Sequence, residues 1–140
     1  MDIKKTVKEL VDRYQTFDPF EIADQMGILV QKHPLGRIGG YYMIYSGIKC
    51  ICINSDIDDS KLENTIMAHE LGHAILHADT EFMFFKGTLF SESKYEKQAN
   101  CFAAELLIPD SIIYDNPDLK KSQLAVLTGY TEKLLDYKRL

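Results

Sequence analysis

Ile3, Val7, Leu10, Val11 and Tyr14 recur at helical spacing, so the chain opens with an amphipathic helix. Asp18-Pro19 has the form of an N-cap followed by proline in the first turn, and the short helix it starts closes at Gly27. Ile28 to Val30 reads as a short strand. Tyr41–Tyr45 and Ile48–Asn54 are rich in aromatic and β-branched residues and flank Ser46-Gly47, which predicts a β-hairpin. Asp58, Asp59 and Ser60 supply capping groups for a helix running to about Ala78. Residues 79–91 fit no single period and read as a loop. A helix follows from about Ser93 to Ile108 and stops at Pro109, and a shorter helical pair, Ser122–Thr128 and Thr131 onward, hinges at Gly129. Helices, a small sheet, then more helices make an α+β chain.

The chain has 140 residues, which predicts a single domain over 1–140, with a core at about 20–110 and a C-terminal helical extension at 111–140. A formal charge of −5 argues against nonspecific DNA binding or attachment to anionic membranes, since both need a positive field. No run approaches the ~20 apolar residues of a membrane span, and the early lysines are not followed by a continuous apolar stretch, as a signal peptide would require. The three cysteines are expected to be reduced and mostly buried, as in a cytoplasmic protein, and Cys50 and Cys52 should share one face of a strand. Residues 119–140 hold five Lys/Arg against two Asp/Glu, too small an excess to read as a DNA-binding unit, so a packing hairpin is expected there.

The chemistry concentrates in His69-Glu70-Leu71-Gly72-His73, an HExxH pattern. Composition alone would produce it only about 0.007 times in such a chain, so chance is a poor explanation. On a helix, residues four apart lie about 6 Å along the axis and ~40° around it, so both imidazoles can reach one ion. Glu70 projects from the neighbouring side, placed to accept a proton from a water at that ion. Leu62, Ile66, His69, His73, Leu76 and His77 fall on one stripe, so the histidines should face the interior. His77 is too far from His69 along the helix, about 12 Å, to complete the set. Glu96 on the following helix is the better third ligand, because it shares a face with Asn100, Ala103 and Leu107. Asn100 can fix a ligand imidazole's tautomer, Ala99 and Ala103 allow close helix approach, and Glu92 is a reserve ligand. Glu105 lies on the opposite side and reads as a solvated charge.

His69-Glu70-Leu71-Gly72-His73 with Leu76-His77, followed by Glu96-x-x-Ala99-Asn100-x-Phe102-Ala103-x-x-Leu106-Leu107-x-Pro109, resembles the ImmA/IrrE family of metallopeptidases, most of all its anti-repressors of phages and integrative elements. The resemblance covers about residues 20 to 110. It implies a small zincin-like fold with one Zn²⁺, held by His69, His73 and Glu96 as metal ligands, and Glu70 as the catalytic glutamate. It further implies an endopeptidase that cleaves a helix-turn-helix repressor and so releases transcription, with no direct contact to nucleic acid or membrane and no large appended domain. Two other readings share the motif: a family member with another target, such as a toxin–antitoxin or stress regulator, and a protein that binds its target without cutting it. Tyr41, Tyr42, Tyr95 and His77 are alternative donors to the oxyanion. The Gly39–Tyr45 strand would hold an extended substrate, and Phe82-Met83-Phe84-Phe85 would either cover the core or form a recognition patch.

Overall fold

The computed structural model describes residues 1–78 and 93–139. Its order is α1 (Ile3–Tyr14), α2 (Pro19–Gln25), β1 (Leu29–His33), β2 (Gly40–Tyr45), β3 (Ile48–Asn54), α3 (Ser60–Leu76), α4 (Lys94–Leu107), α5 (Asp110–Tyr114), α6 (Lys121–Thr128) and α7 (Glu132–Leu135). This is the α+β arrangement the pattern predicts. The caps act as expected: the Asp18 carboxylate accepts from the Phe20 N–H, Asp59 from Lys61 and Leu62, and the Ser93 hydroxyl from Glu96. Two elements exceed the sequence reading. The first strand runs on to His33 because β3 pairs with it along its length, and α5 forms directly after Pro109.

The sheet has the order β1-β3-β2, with β1 parallel and β2 antiparallel to β3. Its alternation sends Tyr42, Ile51 and Ile53 inward toward α3, and these are almost completely buried. Tyr41, Met43, Tyr45, Cys50 and Cys52 take the other face; all three cysteines are free thiols. β2 is an edge strand, and it presses hard on α3. A Cβ at Gly39 would sit 2.8 Å from the Ile66 side chain, and one at Gly40 would lie 2.9 Å from both Ile66 and the Cys52 carbonyl. Only glycine fits at 40, where the backbone carbonyl cannot yield, whereas at 39 the end of the Ile66 side chain would have to turn aside. Buried Asn54 shapes the approach to this strand: its amide donates to the Gly36 and Ile38 carbonyls and its oxygen accepts from Leu35 and Asp56 N–H groups.

α3 lies between the sheet and α4 and is therefore buried on every side from Ile66 to Ala74, beyond the single stripe expected. Leu62, on that stripe, is exposed because it precedes this sandwiched stretch. The core also draws Val7 from α1 and Leu124, Tyr130, Leu134 and Leu135 from the C-terminal pair, which packs as a helical hairpin. Glu105 differs from its sequence reading: it is buried, and it pairs with Lys138 at 2.6 Å and Lys4 at 3.2 Å. Helical periodicity placed it opposite Glu96 correctly, but that side of α4 is covered by α1 and the C-terminal residues. Among the described residues, no helix is long and apolar enough to cross a membrane.

Candidate metal centre

The α3–α4 contact begins with small residues. Gly72 has no Cβ; one placed there would come within 3.1–3.2 Å of the Phe102 side chain. Ala99 and Ala103 on α4 are fully enclosed. With so little side-chain bulk between the axes, short functional groups from both helices can meet. Glu96 sits in the first turn of α4, where the Ser93 cap starts the helix and the helix dipole favours a carboxylate.

His69, His73 and Glu96 converge. Glu96 Oε2 lies 3.0 Å from His69 Nε2, Glu96 Oε1 lies 2.8 Å from His73 Nε2, and the two Nε2 atoms are 3.2 Å apart. All three residues are at most 5% exposed. Two nitrogens bound to one tetrahedral ion at 2.0–2.1 Å stand about 3.3 Å apart, so the imidazole spacing suits zinc. The opposite ring nitrogens are engaged elsewhere: His69 Nδ1 lies 2.7 Å from Asn100 Oδ1, and His73 Nδ1 lies 2.9 Å from His77 Nδ1. Asn100 Oδ1 can only accept, so His69 carries its proton on Nδ1 and turns the Nε2 lone pair inward. The donor set thus fits a small divalent cation in number, spacing and lone-pair direction.

Glu70 lies between the two histidines in sequence and is 1% exposed. His77 does not join the convergent group; it lies beneath His73, with its Nε2 2.8 Å from Gln98 Oε1 and its ring edge-on to Tyr95 at 4.8 Å. Burial lowers the His77 pKa from its ordinary value, while the Gln98 hydrogen bond and the Glu96 charge oppose that effect.

The structure brings together His69, His73 and Glu96, and it gives Asn100 the contact its spacing suggested. Glu92 and Phe82–Phe85 lie outside the described residues. Of the four alternative oxyanion donors, Tyr41 is on the sheet face away from α3, its hydroxyl raised in pKa by burial, then by the charge of the neighbouring Cys52 thiol and its hydrogen bond. His77 has both nitrogens in contacts within the protein. Tyr42 is in the core, its hydroxyl without a hydrogen-bond partner among the described residues, and Tyr95 is partly exposed against His77. Gln98 escaped the sequence reading. Its only signal is being two residues past Glu96, which says nothing until α3 and α4 are in register.

The family model described as the IrrE N-terminal-like domain, a peptidase family, matches residues 23–138. The chain is 39% identical to the uncharacterized immunity region protein 2 of Bacillus phage phi105, over 99% of this chain and 89% of that one. It is 27% identical to the metallopeptidase ImmA of Bacillus subtilis (strain 168), over 97% of this chain and 83% of that one. These likenesses and the buried group of two imidazoles and a carboxylate support a metallopeptidase role. By the extent of the family match and of the phage relative's identity, the chain belongs to the peptidase family of IrrE N-terminal-like domains.

Proposed function

We propose that this chain is a zinc-dependent endopeptidase that cleaves a helix-turn-helix repressor, relieving repression in a phage or mobile element from within the cytoplasm. The observation that carries this reading is the convergence of His69, His73 and Glu96 around one point, with Glu70 between the two histidines on the same helix. The names of the two relatives, an immunity region protein and a metallopeptidase, support the same direction. We read residues 1–140 as one catalytic unit, because Lys138 and Arg139 return to Glu105 on the helix that carries Glu96.

His69, His73 and Glu96 would hold the ion, which would act as a Lewis acid on the scissile carbonyl and make water acidic enough to attack near neutral pH. Glu70 accepts the proton of the attacking water and returns it to the departing amine. Its burial excludes competing solvent from that transfer. The edge strand β2 takes up an extended substrate segment through backbone hydrogen bonds, and Gly40 with the preceding Gly39 keeps it tight against the helix that bears the histidines. Tyr95, partly exposed beside His77, is the better placed tyrosine to donate to the oxyanion, since Tyr42 is enclosed in the core.

The test is incubation of the purified, zinc-loaded chain with the helix-turn-helix repressor encoded beside it. Defined fragments should appear, and a chelator should prevent them. Glu70→Gln should bind zinc normally and lose about 10²–10⁴-fold in cleavage rate. An intact repressor under all conditions, or full activity in Glu70→Gln, would remove the reading.

A further inference from the structure

The two histidines of the metal group are oriented by different means, and His73 poses the harder problem. Its Nδ1 faces another imidazole nitrogen, His77 Nδ1, at 2.9 Å. A contact between two ring nitrogens holds one proton, and either ring can own it. If His77 owned it, His73 would carry its own proton on Nε2, the atom 2.8 Å from Glu96, and would have no lone pair for an ion.

Gln98 decides the matter. Its Oε1 lies 2.8 Å from His77 Nε2 and, as an amide oxygen, can only accept. The neutral His77 ring therefore carries its proton on Nε2 and presents a bare Nδ1. That bare nitrogen accepts from His73 Nδ1–H, and His73 Nε2 is left with its lone pair directed at His69 and Glu96. The proton order is fixed from one end: Gln98 sets His77, and His77 sets His73.

We propose that His77 and Gln98 are positioning residues for the metal, acting through His73 by fixing its tautomer; the inference rests on the metal-centre reading above. Neither residue would touch the ion. His77 lies beyond its reach, and Gln98 points at the outer nitrogen of His77. Gln98 and Asn100 are both amides of α4, so one helix supplies the orienting oxygens for both imidazoles as well as the carboxylate.

The test combines imidazole ¹⁵N spectroscopy of the zinc-loaded chain with zinc affinity measured by chelator competition. In the wild-type chain, His77 should be protonated on Nε2 with a bare Nδ1, and His73 on Nδ1. Gln98→Leu should weaken zinc binding by about 10- to 100-fold, the usual cost of losing such a supporting contact. Gln98→Glu retains an acceptor at that place and should bind zinc near the wild-type level. His77→Phe, which keeps a ring against Tyr95, should weaken binding as Gln98→Leu does. A wild-type His77 with its proton on Nδ1, or equal zinc affinity in the two Gln98 variants, would overturn the proposal and leave the metal centre standing. A wild-type chain that takes up no zinc would remove both.

Discussion

α4 buries two glutamates, one near each end, and surrounds them with opposite chemistry. Glu105, in the last turn, meets the ammonium groups of Lys138 and Lys4 and the backbone N–H of Arg139. The helix dipole opposes a carboxylate there, and Lys138 is itself enclosed at 3% side-chain exposure. The result is a neutralised clasp joining α1, α4 and the C-terminal residues, extended by Asp110, which both lysines reach at 2.6 Å. Glu96, in the first turn, has the dipole in its favour and meets two imidazole nitrogens whose partners turn lone pairs toward it. A carboxylate against ammonium groups is a finished structural pair, whereas one against imidazole lone pairs is a group that could hold a metal ion. Under the proposed function, the same residue type on the same helix would serve stability at one end and chemistry at the other.

This contrast is open to direct attack. Glu96→Ala should lower zinc affinity by more than about 100-fold, beyond the loss expected from a merely supporting residue, with the fold retained by circular dichroism. Glu105→Ala should do the reverse: zinc affinity stays near wild type while denaturant unfolding shows a loss of about 1–3 kcal/mol, because buried Lys138 keeps only its pair with the more exposed Asp110. If both variants lost metal and stability alike, the division of labour along α4 would be wrong. Gly72→Ala tests the spacing that both depend on. The added methyl must displace Phe102, so a loss of about 1–3 kcal/mol is expected together with weaker zinc binding as α4 moves off α3.

Asp110→Asn should give the smallest effect, under about 1 kcal/mol at neutral pH, since this carboxylate is 41% exposed and its ion pairs are screened. Hydrogen bonds from Lys138 and then Lys4 hold its pKa below the ordinary 3.8. A depressed carboxylate pKa contributes stability above the unfolded value and loses it as pH falls through the folded one. The gap between wild type and Asp110→Asn in urea unfolding should therefore be constant above about pH 5 and close as the solution is acidified below 3.8.

Local chemistry wrote most of the element boundaries into the chain. Asp18-Pro19, Asp59 and Ser93 cap the helices they were expected to cap, and Ser46-Gly47 turns the hairpin. The HExxH spacing and the placement of Glu96 and Asn100 on one helical face were equally legible, because the helix repeat converts sequence separation into direction. Direction is all that it converts. Whether a face is covered depends on what arrives from elsewhere in the chain, so Glu105 looked solvated until α1 and Lys138 closed over it. For the same reason His77 and Gln98, 21 positions apart, carry no mutual signal in the sequence. Composition and periodicity determined an α+β chain with a metal-ligand pattern. Only the seating of α3 on α4, set by Gly72, Ala99 and Ala103, decided which polar atoms lie within 3 Å of one another, and short-range forces act only at that distance.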